Sequence, residues 1–154
     1  MLIDDLFRHG QEAAKHLFKM QGAVHPMWLC QTAEGGMIPV CLEMPDHPGR
    51  DALATYLKKS FRENNIERYV AFMEAWVLET DADQPVPPGS IEHSPDRKEV
   101  VLVTAEDKSG EQRSGVFYIL RPEHGDPKLS PFKEGLFKGS DLSGRFHRLL
   151  ATEH

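Results

Sequence analysis

The sequence predicts a single α+β domain spanning residues 1–154, built on a five-stranded, mainly antiparallel sheet with helices packed on its faces. Three observations predict it. The stretch Tyr69 to Glu79, YVAFMEAWVLE, is apolar on both alternating faces, the pattern of a strand covered on both sides. Two other β-rich stretches, Lys98 to Glu106 and Gln112 to Arg121, flank the turn-forming Asp107-Lys108-Ser109-Gly110. Stretches with apolar residues at helical spacing alternate with these strands. The resulting order is α-β-β-α-β-β-β-α.

The first element is a helix from Asp4 or Asp5, either of which can cap it, to about Met20. Leu6, Phe7, Ala14, Leu17 and Phe18 form its apolar stripe, and Gly22 supplies a left-handed stop. Such a helix either packs on its own sheet or docks a partner; the packed reading is the simpler. A hairpin follows in HPMWLCQTAEGGMIPVCLEMP, with the turn centred on Gly35-Gly36. A four-residue loop, Glu34 to Met37, keeps Pro39 away from a position needing its missing N–H. That register puts Leu29, Ala33, Ile38, Val40 and Leu42 on the core side. It also sets Cys30 opposite Cys41 at roughly 4.5 Å between Cα atoms, close enough for a disulfide. The pair then reads either as a redox or metal pair or as two reduced thiols; no C-x-x-C or further ligand set accompanies it.

The second helix runs from about Gly49 to Asn64, with Leu53, Tyr56, Leu57 and Phe61 inward and Lys58, Lys59, Arg62 and Glu63 outward. The strand 69–79 comes next, with Val70, Phe72, Trp76 and Leu78 on one face and Tyr69, Ala71, Met73, Ala75 and Val77 on the other. The proline-rich connection TDADQPVPPGSIEHSPDR, longer than is usual within compact domains, leads into the second hairpin. Residues 125–139, rich in Gly, Pro and Lys, read as an irregular surface segment, and 140–150 as a short C-terminal helix capped by Ser140.

Composition narrows function mainly by exclusion. The formal charge of −6 argues against extensive phosphate neutralisation, and two cysteines are too few for a disulfide scaffold. The acidic N-terminus lacks a signal-peptide pattern and no apolar run approaches the roughly 20 residues of a membrane span, so a soluble cytoplasmic protein is expected. Motif-like strings fail on distance. Asp96 and Glu106 mimic a PD…ExK metal pair, but one strand between them separates the carboxylates by roughly 30 Å at about 3.3 Å per residue. No H-x-H, H-E-x-x-H or phosphate-loop spacing is present. No metal or cofactor is expected.

One constellation survives. Glu74 is the single charge on a strand face read as covered, and it needs a partner. The neighbouring loop carries Glu92, His93, Asp96 and Arg97. Together they could line a catalytic cleft with a perturbed carboxylate for acid–base work. The competing reading is a structural ion pair between Glu74 and Arg97, Lys98 or Arg113, with Asp96-Arg97 forming the entry to the next strand.

The strings MEAW (73–76) and HSPDRKEVV (93–101), set around a proline-rich connection, resemble an uncharacterised group of bacterial and prophage-type proteins. The resemblance implies no activity and no functional residues. The element order is similar, by analogy alone, to roadblock and profilin-like folds, whose sheets and helices serve as docking or dimerisation surfaces. The expectation is therefore a small interaction or regulatory protein that self-associates as a homodimer or binds a protein partner. The alternatives are a hydrolase or other small-molecule enzyme using Glu74, Glu92, His93 and Asp96, and a nucleic-acid accessory protein using Lys58, Lys59, Arg62 and the basic tail.

Overall fold

The computed structural model describes residues 2–43, 47–77, 95, 97–135 and 149–150. The elements among them are α1 (Ile3–Gln21), β1 (Met27–Thr32), β2 (Met37–Cys41), α2 (His47–Glu63), β3 (Ile66–Val77), β4 (Lys98–Asp107), β5 (Gln112–Leu120), β6 (Lys128–Leu129) and β7 (Lys133–Glu134). The α+β class and the antiparallel sheet hold. The count does not: seven strands stand where five are expected, in the order β2-β1-β3-β4-β5-β6 with β7 also on β5. The expected helix at 140–150 lies outside the described residues apart from Leu149 and Leu150, which form a turn.

β3 and β4 fill the centre, paired from Arg68↔Asp107 to Val77↔Lys98. The alternation within β3 sorts its side chains as expected. Val70 and Phe72 join Val101, Val103, Phe117 and Ile119 under the α1 residues Leu6, Phe7, Ala14 and Phe18. Tyr69, Ala71, Met73, Ala75 and Val77 face the other way, with Trp28, Val100 and Leu102 and the α2 residues Ala54, Leu57 and Phe61. Each helix thus packs on one sheet face. Tyr56, expected inward, is 58% exposed, and Ala54 takes the buried place because it lies one turn before the Leu57/Lys58 flank.

α1 begins without a side-chain cap at Leu2; Asp4 and Asp5 instead lie in the first turn, where carboxylates complement the helix dipole. Asp4 also accepts the Arg113 Nε–H at 2.9 Å, tying the helix start to β5. Gly22, at φ 71°, ends the helix and returns its N–H to the Phe18 carbonyl.

Both hairpins use one turn design, and it corrects the predicted register. Gly35 has φ 93°, its N–H reaches the Thr32 carbonyl at 3.0 Å, and Thr32 N–H reaches the Gly36 carbonyl at 2.8 Å. Ala33-Glu34 are the turn centre, and Gly35 is the left-handed bulge residue that follows it. The pairing therefore runs Cys30↔Ile38 and Met27↔Cys41, not Cys30↔Cys41. Cys30 is buried on the α2 side with Trp28, while Leu29, expected beside Ile38 and Val40, packs on the α1 side. Cys41 opposes Met27 and is exposed, so both thiols are free. In the second hairpin Gly110, at φ 97°, plays the same part after Lys108-Ser109, and the Asp107 carboxylate accepts the Ser109 and Glu111 amides.

The stretch expected to be irregular is organised by two residues. Gly115 leaves a slot in β5 that the Phe132 ring fills; a side chain there would collide with it. Phe132 lies tilted against Phe117, with ring centroids 4.8 Å apart, and edge-on at 5.6 Å to Phe7. Ser130 exchanges backbone contact with Tyr118, accepting its N–H at Oγ and donating its own N–H to its carbonyl. β6 and β7 are the two short pairings that this anchoring permits along the β5 edge.

Candidate functional site

α1 covers β3 only as far as Phe72. Beyond it the chain leaves the helix through Gly22 and Val24 and turns into β1, so the last residues of β3 on that face meet solvent. Glu74 and Trp76 are the two that do; Trp76 is 43% exposed. The face taken as fully covered is thus open at one end, and Glu74 is not the buried charge expected there.

The residues around Trp76 follow from strand register. Trp76 pairs with Glu99, and Arg97, two positions earlier on β4's side of the sheet, lies diagonal to it on the same face. The Arg97 guanidinium sits 4.1 Å from the Trp76 ring centroid, a cation–π stack. Glu99 receives both arms of Arg121 from the end of β5, at 2.8 Å each, a bidentate fork. The Val24 backbone N–H is near enough to Glu74 to favour its charged form. The outcome is a patch of one indole, two guanidinium groups and two carboxylates.

The carboxylates titrate in opposite directions. Loss of water around Glu74 pushes its pKa up, partly offset by the Val24 N–H; the Glu99 charge pushes further up, and Arg121 and His25 pull down. The Arg121 hydrogen bonds hold Glu99 below the usual carboxylate range. Glu74 is therefore the residue type for proton transfer, yet no group of three or more His, Cys, Asp or Glu side chains among the described residues could hold a metal ion.

Of the sequence candidates, Glu74 and Arg97 share this face, and their arrangement is indirect: Arg97 is on the indole, and the arginine acting on Glu74 through space is Arg121. Glu92, His93 and Asp96 lie outside the described residues. Lys58, Lys59 and Arg62 lie on α2, where Lys59 reaches Glu63 at 4.0 Å. Sequence alone assigns no role to Glu99 or Arg121, although it carries a signal for their pairing. Counting back from the Asp107–Gly110 turn places Glu99 opposite Ile119 and so diagonal to Arg121. Trp76 matches Phe72 in alternation and so reads as core; nothing local says where α1 stops covering the strand.

No helix of the described residues is long and apolar enough to cross a membrane. Fold and site together define an α+β protein with an antiparallel sheet and a partly uncovered face. No family model matches the chain, and no curated protein or solved structure does either.

Proposed function

We propose that this chain is an interaction module that pairs with a second copy of itself through the sheet surface around Trp76. The observation that carries the reading is the exposed indole on a central strand, framed by Arg97 and the Arg121–Glu99 fork. Tryptophan and arginine are the residue types most often found at the energetic centre of protein interfaces. Two carboxylates and two guanidinium groups leave the patch without formal net charge. A twofold arrangement can set each Arg against a Glu of the other copy, as a self-complementary surface requires.

The sheet edges support a face rather than an edge as the contact. Counting from the Thr32–Gly36 closing bond, Pro39 falls at a position whose N points away from β1, so the outward side of β2 lacks a donor at its middle. The opposite edge ends in strands of two residues each.

Sedimentation equilibrium tests the reading. The wild type is expected to show a monomer–dimer equilibrium. Trp76→Ala should weaken it by about thirtyfold, the factor corresponding to a hot spot of about 2 kcal/mol. Arg121→Glu should weaken it as well, by setting like charges together. A wild type that stays monomeric up to about 1 mM, where a standard free energy of only about −4 kcal/mol already gives half-saturation, overturns the proposal.

A further inference from the structure

Between the second half of α1 and β6 runs a cavity of about 410 Å³, within the size range of small-molecule sites. Its floor is apolar: Phe18 is 4% exposed, and Leu129 packs on the same core cluster. Its rim is basic. Lys15 and Lys19, one helical turn apart, share the α1 flank, and Lys128 faces them from β6. Against these three ammonium groups stands one carboxylate, Glu12, 3.6 Å from Lys15 in an exposed pair that solvent screens. The excess is two positive charges with His16 neutral, in a chain whose formal net charge is −6.

We propose that this groove is a binding site for a phosphate monoester carried on an apolar body, whether a soluble ester or a lipid headgroup. A phosphate monoester carries about −1.5 to −2 charges near neutral pH, which matches the excess on the rim. An inorganic anion would leave the apolar floor unused, and an uncharged hydrocarbon would leave the lysines unanswered. The two walls are fixed relative to each other. β6 pairs with Ile119 and Leu120, Ser130 is bonded to Tyr118, and α1 is anchored on the same sheet. The lysines thus meet a ligand across a preformed recess, which lowers the ordering cost of binding.

The test is a titration of the full ¹⁵N-labelled chain with octyl phosphate, with octanol and inorganic phosphate as separate arms. The amides of Lys15 to Lys19 and of Lys128 and Leu129 are expected to shift. Octyl phosphate should bind at least about tenfold more tightly than either control, the effect of combining charge and apolar contact. Lys15→Glu with Lys128→Glu should weaken octyl phosphate at least about tenfold, while Lys59→Glu on α2 leaves it unchanged. Vesicles of phosphatidylcholine with phosphatidic acid separate the sources. Co-sedimentation lost in the double variant supports a headgroup, and octyl phosphate binding without vesicle binding supports a soluble ester. Absence of shifts at those amides, octanol binding as well as octyl phosphate, or full affinity in the folded double variant overturns the proposal.

Discussion

The carboxylate of Glu106 accepts the backbone N–H of Leu150 at 2.8 Å, across 44 residues of chain. Glu106 is only 4% exposed, and the neighbouring Leu149 is 2% exposed and part of the α2-side core. Tyr69, paired with Glu106 across β3 and β4, belongs to the same cluster. Burial, then the Glu106 charge, pushes its phenol up, and the Leu149 backbone offsets part of this. A buried carboxylate therefore holds the chain near its C-terminal end onto the sheet. Glu106→Ala should destabilise the protein by about 1–3 kcal/mol, because it removes a charged acceptor from a half-buried N–H. Glu106→Gln keeps an acceptor in place and should cost less. Urea unfolding measures both; an alanine variant no less stable than glutamine removes the anchoring role.

Gly10 sets how closely α1 lies on β3. A β-carbon there would overlap the γ-methyls of Val70, which is fully buried. Gly10→Ala therefore combines a gain of about 1 kcal/mol in helix propensity with an overpacking cost of about 1–3 kcal/mol, for a net loss. Trimming the neighbour should reverse the sign of the alanine effect: in a Val70→Ala background, Gly10→Ala should stabilise. A double-mutant cycle on thermal unfolding reads the coupling. Additive effects would show that the helix does not depend on this contact.

Glu74 and Glu99, neighbours on the open face, should titrate on either side of the ordinary glutamate value of 4.5. Glu99 is depressed by Arg121, so its contribution to stability is present above the unfolded value and is lost as pH falls through its lower folded value. Glu74 is raised, so the folded state holds its proton more firmly than the unfolded chain does. Its effect is a loss of stability as pH rises from the unfolded value through the folded one. Because the two windows lie on opposite sides of 4.5, this pair contributes stability that rises with pH towards the unfolded value and falls beyond it, a local maximum rather than a plateau. Side-chain ¹³C titrations should place Glu99 below Glu74, and Arg121→Met should move Glu99 upward. A Glu99 midpoint that does not respond to Arg121→Met would mean that the fork does not persist in solution.

Much of the fold was legible because it depends on local periodicity. Both faces of β3, the α1 stripe and the Gly22 stop follow from residues within a turn or two of one another. What was not legible depends on contacts distant in sequence. The slot at Gly115 acquires meaning only when Phe132 arrives, so residues 125–139 offered no pattern to read. Trp76 matches Phe72 in alternation, and its exposure depends on where a helix some fifty residues earlier ends. Glu74 was visible as an anomaly, but its setting required the Val24 connection and the β5 end to be placed.

The first hairpin shows how a single turn assignment propagates, and its cysteines provide the check. Centring the turn on Gly35-Gly36 pairs Cys30 with Cys41; taking Gly35 as the bulge residue after Ala33-Glu34 pairs Cys30 with Ile38 and puts the thiols on opposite sheet faces. A disulfide between them would require the strand to slip by an odd number of residues, turning its apolar face outward. The two thiols should therefore differ in chemistry. Cys41 is exposed, whereas burial pushes the Cys30 thiol up to about 12, leaving almost no thiolate near neutral pH. A disulfide-exchange reagent at pH 8 should label one thiol per chain rapidly in the native protein and the second only on unfolding. Cys41→Ser should abolish the fast phase, and Cys30→Ser should leave it intact. Mild oxidant should yield no intramolecular disulfide; formation of one without loss of native structure would restore the register centred on the two glycines.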